Sequence, residues 1–153
     1  MKFSFETLSK SEYKSGSHLI DFSEMESEQS AALAEGRLLC VFGAPAEVSE
    51  NYENSFNYYI RATAEDGRAV VLNVYGAGIV SIGADSQDEF ALQAANALIE
   101  HVNSAAPKDY QRTVYYLDFQ IQIDISVKNG QVSVSTSEIS EEKALELFNE
   151  WYN

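Results

Sequence analysis

The chain has 153 residues, enough for one compact domain over 1–153 with a continuous core, and its 45% hydrophobic and 12% aromatic content separates it from disordered acidic tails. Twenty-four acidic residues against ten basic ones leave a formal charge of −14, which disfavours nucleic acid and anionic membranes and suits a basic protein, a cation or plain solubility. A single cysteine, Cys40, excludes an internal disulfide; with no apolar leader and no run of roughly 18 apolar residues, the expectation is a soluble cytoplasmic protein whose Cys40 is a buried, inert thiol within "LLCVF".

Along the chain, "SEMESEQSAALAEGRLLCVFG" opens on Ser23 and Glu26 at capping-box spacing and reads as a helix to Val41. Gly36 leaves "RLLCVF" open as a strand instead. "SFNYYIRATAEDGRAVVLNVYG" and "IVSIG" read as strands. A three-residue loop of Glu65, Asp66 and Gly67 sets Ile60 opposite Leu72 and Tyr58 opposite Val74, gathering Phe56, Tyr58, Ile60, Ala62, Val70, Leu72 and Val74 on one face. A two-residue turn would pair Ile60 with Asn73, so the apolar pattern selects the longer loop.

"SQDEFALQAANALIEHVNSAAP" is the clearest helix, with Ser86 and Glu89 as a capping box and Ala91, Ala94, Ala95, Leu98 and Val102 as its buried stripe. "FQIQIDISVKNGQVSVST" reads as a hairpin around Asn129-Gly130, pairing Val127 with Val132, Ile125 with Val134 and Ile123 with Thr136. A last helix after Ser140 carries Ala144, Leu147, Phe148 and Trp151 at i, i+3, i+4 and i+7. The expected class is α+β: a mainly antiparallel sheet with helices packed on one face, two layers deep, in the order (β)αβββαββα.

Few residues carry chemistry. Gly76, Gly78 and Gly83 invite a nucleotide-loop reading, but Gly78 precedes a strand, and Asp85, Asp88 and Glu89 crowd the helix start where a phosphate would sit. His18, His101 and Cys40 are too scattered for a zinc set. On a continuous strand Asp118 and Asp124 stand roughly 20 Å apart, beyond the reach of an acid/base pair. The expectation is a non-enzymatic protein with no metal and no cofactor.

Two surfaces are candidates for partner binding. The strand that buries Phe119, Ile121, Ile123 and Ile125 turns Asp118, Gln120, Gln122, Asp124 and Ser126 outward, flanked by Tyr116, as either a solvated face or one that another protein meets. Between Ser15 and Ile60, eight acidic residues against Arg37 alone give a net of −7 (8 − 1). There "EVSENYENSFNYY" mixes Glu47, Glu50 and Glu53 with Tyr52, as a solvated loop or a contact in which rings anchor and charge steers.

The segments "FGAP" (42–45), "DGRAVVLNVYGAGIVSIGAD" (66–85), "APKDY" (106–110) and "YYLDFQIQIDISVKNGQV" (115–132) resemble the small, acidic, cytoplasmic immunity proteins encoded beside bacterial polymorphic toxins, over roughly residues 41 to 137. The resemblance implies an inhibitor of one cognate toxin domain, often a basic nuclease, and carries no contact residue across. A partner that is protein, with no nucleic acid and no membrane, is therefore expected, and a homodimer stays open. The alternative is a small-molecule or peptide binding domain with a pocket beneath the alanine-rich helix.

Overall fold

Apolar residues alternating along β4 (Phe56–Ala64), β5 (Ala69–Gly76) and β6 (Val80–Ala84) build the centre of a six-stranded antiparallel sheet. β1 (Phe3–Leu8) and β2 (Ser17–Asp21) close its edges in the order β1-β4-β5-β6-β2, and the two-residue β3 (Glu47–Val48) pairs with the start of β4. The computed structural model describes residues 1–9, 17–23, 28–49, 55–76 and 79–152. The β4–β5 register sets Ile60 against Leu72 and Tyr58 against Val74, as the three-residue loop requires. Gly67 takes φ +90° there, and the Ala64 N–H donates to the Arg68 carbonyl at 2.8 Å.

Two helices cover one face of this sheet. In α2 (Glu89–Asn103), Ala91, Ala94, Ala95, Leu98 and Val102 are fully buried against the strand residues, and the small alanines bring the helix close. Its N-cap is Asp88, not Ser86: the Asp88 carboxylate accepts the Ala91 N–H at 2.9 Å, while Ser86 accepts the Asp88 N–H. α1 (Glu28–Phe42) is helical throughout, which settles "RLLCVF" as helix. Ser23 lies ahead of α1 and does not cap it; its buried hydroxyl accepts the Val80 N–H at 2.9 Å, and Glu26 is outside the described residues.

The α+β class holds, with α1 and α2 on one face of the large sheet, but the strands divide into two sheets. β7 (Tyr110–Tyr116), β8 (Ile121–Lys128) and β9 (Gln131–Glu138) form a second antiparallel sheet in that order. α1 touches α2 and β6 on one side, β8 and β9 on the other. Ala34 and Leu38 belong to the large core, whereas Gly36 meets Pro107, Lys108 and Tyr110. A Cβ on Gly36 would stand 2.9 Å from the Pro107 Cβ, and the Lys108 N–H donates to the Gly36 carbonyl at 2.9 Å. The glycine that weakens the helix signal is thus what lets the second sheet approach. With both these sides of α1 used, Cys40 turns outward and is exposed, contrary to the buried thiol expected.

The β8–β9 turn, with φ of +52° at Asn129 and +76° at Gly130, is type I′, and the pairs Val127 with Val132, Ile125 with Val134 and Ile123 with Thr136 are those expected. α3 (Glu141–Tyr152) starts where the Ser140 hydroxyl accepts the Lys143 N–H at 3.0 Å and packs against the 3-10 turn Leu117–Phe119. No helix among the described residues is long and apolar enough to cross a membrane.

Candidate functional site

Of the residues singled out for partner binding the small sheet holds Tyr116, Gln122, Asp124 and Ser126, but not on one face. The strand expected to run from Phe119 is interrupted: Leu117–Phe119 is a 3-10 turn and Gln120 is left-handed at φ +51°, so β8 starts at Ile121. Asp118 and Gln120 therefore leave the Asp124 face, and Phe119 is 75% exposed instead of buried. Tyr116 pairs with Ile121, which puts it on the opposite face from Asp124; Tyr115, paired with Gln122, is the tyrosine of the polar face.

Asp124 remains there and is half-buried. It accepts from Thr113 Oγ1 at 2.9 Å and from Gln122 Nε2 at 3.1 and 3.2 Å, a cross-strand polar ladder. Ser126, Ser133, Ser135, Ser137 and Gln111 complete the face by register. Tyr115 lies 6.0 Å from the Trp151 ring of α3.

In the other candidate segment, Glu47 lies on β3 and accepts a hydrogen bond from the Tyr59 hydroxyl. Glu50, Tyr52 and Glu53 lie outside the described residues.

The structure adds a cluster that local sequence does not mark. Glu35 of α1 meets two β7 residues more than seventy positions away: Arg112 Nη1 donates to Glu35 Oε1 at 2.9 Å, and the Tyr110 hydroxyl lies 3.0 Å from Oε2 and 2.9 Å from the Ala32 carbonyl oxygen. Burial pushes the Glu35 carboxyl above its ordinary value, with the Arg112 charge and the two hydrogen bonds opposing. Burial first, then the Glu35 charge, raises both Tyr110 and Tyr58, whose hydroxyl donates to the Gly43 carbonyl at 2.7 Å. Both carboxylate oxygens of Glu35 are occupied, so the cluster acts as a clamp fastening β7 to α1. A spacing of 75 to 77 residues leaves no periodic trace, so only the folded chain discloses it.

Beside the clamp runs a groove of about 490 Å³ lined by Glu35 and Leu39 of α1, Pro45, Val48 and Ser49, much of β7, and Leu147, Glu150 and Trp151 of α3. Phe119, Leu145, Phe148 and Tyr116, at 75, 57, 50 and 38% exposure, are four of the six exposed large hydrophobic residues among those described. All four lie on α3, the adjoining 3-10 turn or the last residue of β7, among Asp118, Glu138, Glu141, Glu142 and Glu146. Among the described residues no three histidine, cysteine or carboxylate side chains are grouped to hold a metal ion.

Fold and surface define an α+β protein whose smaller antiparallel sheet carries an aromatic, carboxylate-edged end. Compared with known proteins, the chain matches no protein-family model, no curated protein and no solved structure.

Proposed function

We propose that this protein acts by binding another protein, as a non-enzymatic immunity partner or inhibitor of a basic toxin domain in the bacterial cytoplasm. The observation that carries the reading is the exposed apolar group Phe119, Leu145 and Phe148, on α3 and the 3-10 turn it packs against, in segments that also carry Asp118, Glu141, Glu142 and Glu146. Exposed apolar side chains concentrated in one region and rimmed by charge are typical of an interaction surface, in which rings supply anchoring area. The net charge of −14 favours encounter with a cationic partner. Asp118, a candidate from sequence, lies in the same 3-10 turn as Phe119, and the resemblance to immunity proteins points the same way.

The test is co-expression with the product of the adjacent reading frame. The expected result is growth arrest by that product, relief by this chain, and loss of relief in the Phe119→Ser, Phe148→Ser double variant with an unchanged circular dichroism spectrum. A neighbouring product that this chain neither binds nor neutralises overturns the reading. The association rate of the pair should also fall steeply between about 0.1 and 1 M salt, as the screening length shrinks from ~10 to ~3 Å.

A further inference from the structure

β7 ends its sheet: among the described residues it pairs with β8 alone. Which of its backbone groups face outward follows from the hairpin beyond it. A two-residue type I′ turn makes Lys128 and Gln131 a hydrogen-bonded pair, so Ser126, Asp124 and Gln122 bond to β9 in alternation. The Ile139 N–H donating to the Gln120 carbonyl at 2.8 Å has the same phase. Ile121, Ile123, Ile125 and Val127 must then bond to β7 through Tyr116, Val114, Arg112 and Tyr110. The N–H and C=O groups of Gln111 and Thr113 consequently point at the open edge.

The groove lies along that edge. It is lined by the consecutive residues Tyr110, Gln111, Arg112 and Thr113, which belong to alternate faces of the strand and can share one cavity only at its rim, and β8 occupies the other rim. α1 supplies Leu39 and Glu35 on one side, and α3 supplies Leu147, Trp151 and Glu150 on the other. An added strand would send alternate side chains toward the α1 wall, apolar at Leu39 because Glu35 is already held by Arg112 and Tyr110, and toward the α3 wall, where Glu150 stands beside Leu147 and Trp151. β7 itself, "YQRTVYY", has neither lysine nor proline to guard its edge. β1 likewise ends the large sheet beside a groove, but the charges lining it, Glu6 and Arg61, pair with each other at 3.5 Å and, among the described residues, no further carboxylate like Glu150 lines it.

We propose that the open edge of β7 captures an extended cationic segment of a partner protein as a fourth strand, its backbone on Gln111 and Thr113, its valine-like side chains toward Leu39 of α1 and its alternate, lysine-like side chains toward Glu150 of α3. This rests on the protein-binding reading above and says how the partner is held. A second copy of this chain is a poor occupant, because each copy carries −14.

The test uses the full chain and a capped peptide, Val-Lys-Val-Lys-Val-Lys-Val-Lys, with two versions N-methylated at alternate residues in opposite phase. Binding is followed by amide NMR and hydrogen exchange. The expected result is protection of the Gln111 and Thr113 amides on titration to about 1 mM, with one methylation phase weakening binding at least about tenfold and the other leaving it unchanged. Thr113→Pro, which removes an outward N–H together with the hydroxyl bond to Asp124, should abolish binding, while Thr113→Val, which removes the hydroxyl bond alone, should keep it. Equal loss with both methylated peptides, or shifts centred on Phe119 and Phe148, overturns strand addition and leaves the binding reading standing. No binding by about 1 mM also overturns it, as does protection of Gln111 and Thr113 by self-association without peptide. The co-expression experiment judges the binding reading separately.

Discussion

The two sheets are built from the same alternating code and end in different states. In the large sheet Ile60, Leu72, Val74 and Ile82 are fully buried beneath α1 and α2. In the small sheet only Val114 and Val127 are buried, and Ile121, Ile123 and Ile125 stay half-exposed, because its cover is one side of α1 with α3 at one end. Alternation thus marks which face turns inward, while the number of elements covering that face decides how far it is sealed. The partly sealed sheet also adjoins the exposed rings of α3 and the 3-10 turn, and its β7 edge opens onto the groove beside the clamp.

The contrast breaks first in the cores. Leu72→Ala should cost about 3–5 kcal/mol in urea unfolding, whereas Ile123→Ala, from a half-exposed site, should cost about 1–2 kcal/mol. Equal losses would mean that the small sheet is as tightly sealed as the large one.

The clamp comes next. Glu35 and Arg112 side chains are 14 and 19% exposed, so Glu35→Ala strands a cation and the Tyr110 hydroxyl in a largely desolvated site, an expected loss of about 1–3 kcal/mol. Its pH dependence has a definite sign. Because the Glu35 carboxyl is held above its ordinary 4.5, the folded chain keeps that proton longer than the unfolded one as pH rises. Glu35 therefore lowers stability progressively from 4.5 up through its raised value. The stability of the native chain relative to Glu35→Gln should fall over that window, as read by unfolding at several pH values; a flat or rising difference removes burial as the dominant cause.

Gly36→Ala tests the approach of the two halves. Helix propensity alone would gain about 1 kcal/mol, but the new Cβ meets the Pro107 Cβ at 2.9 Å and the Lys108 carbonyl oxygen at 3.3 Å. A net loss of about 1 kcal/mol is expected from the overpacking, with hydrogen-exchange protection reduced more in β8 and β9 than in β4 and β5. A net gain would show that the small sheet yields at no cost. Smallest of all, Phe119→Ser should change stability by no more than about 0.5 kcal/mol, since the ring is 75% exposed; a large loss would make that ring a packing residue and weaken the binding surface.

Much of this was legible in the residues themselves. The Glu65–Gly67 loop, the Asn129-Gly130 turn, both hairpin registers and the α2 stripe follow from period-two and period-3.6 patterns and from glycine's freedom at positive φ, all contained within a few neighbouring residues. The candidate site was legible only in part. Asp124 keeps its wet face, but the left-handed Gln120 removes Asp118 and Gln120 from it, and pairing parity with β7 exchanges Tyr116 for Tyr115.

What the sequence by itself determined was therefore local: which residues turn, which alternate, and which chain-wide charge the surface must carry. The tertiary structure alone decided that the strands divide into two sheets around α1, that Glu35 finds Tyr110 and Arg112, and that the rim of β7 opens onto a groove. Those outcomes depend on contacts between elements distant in sequence, 75 to 77 residues apart for the clamp. Periodicity records which side of an element is buried, but it holds no information about which distant element comes to bury it.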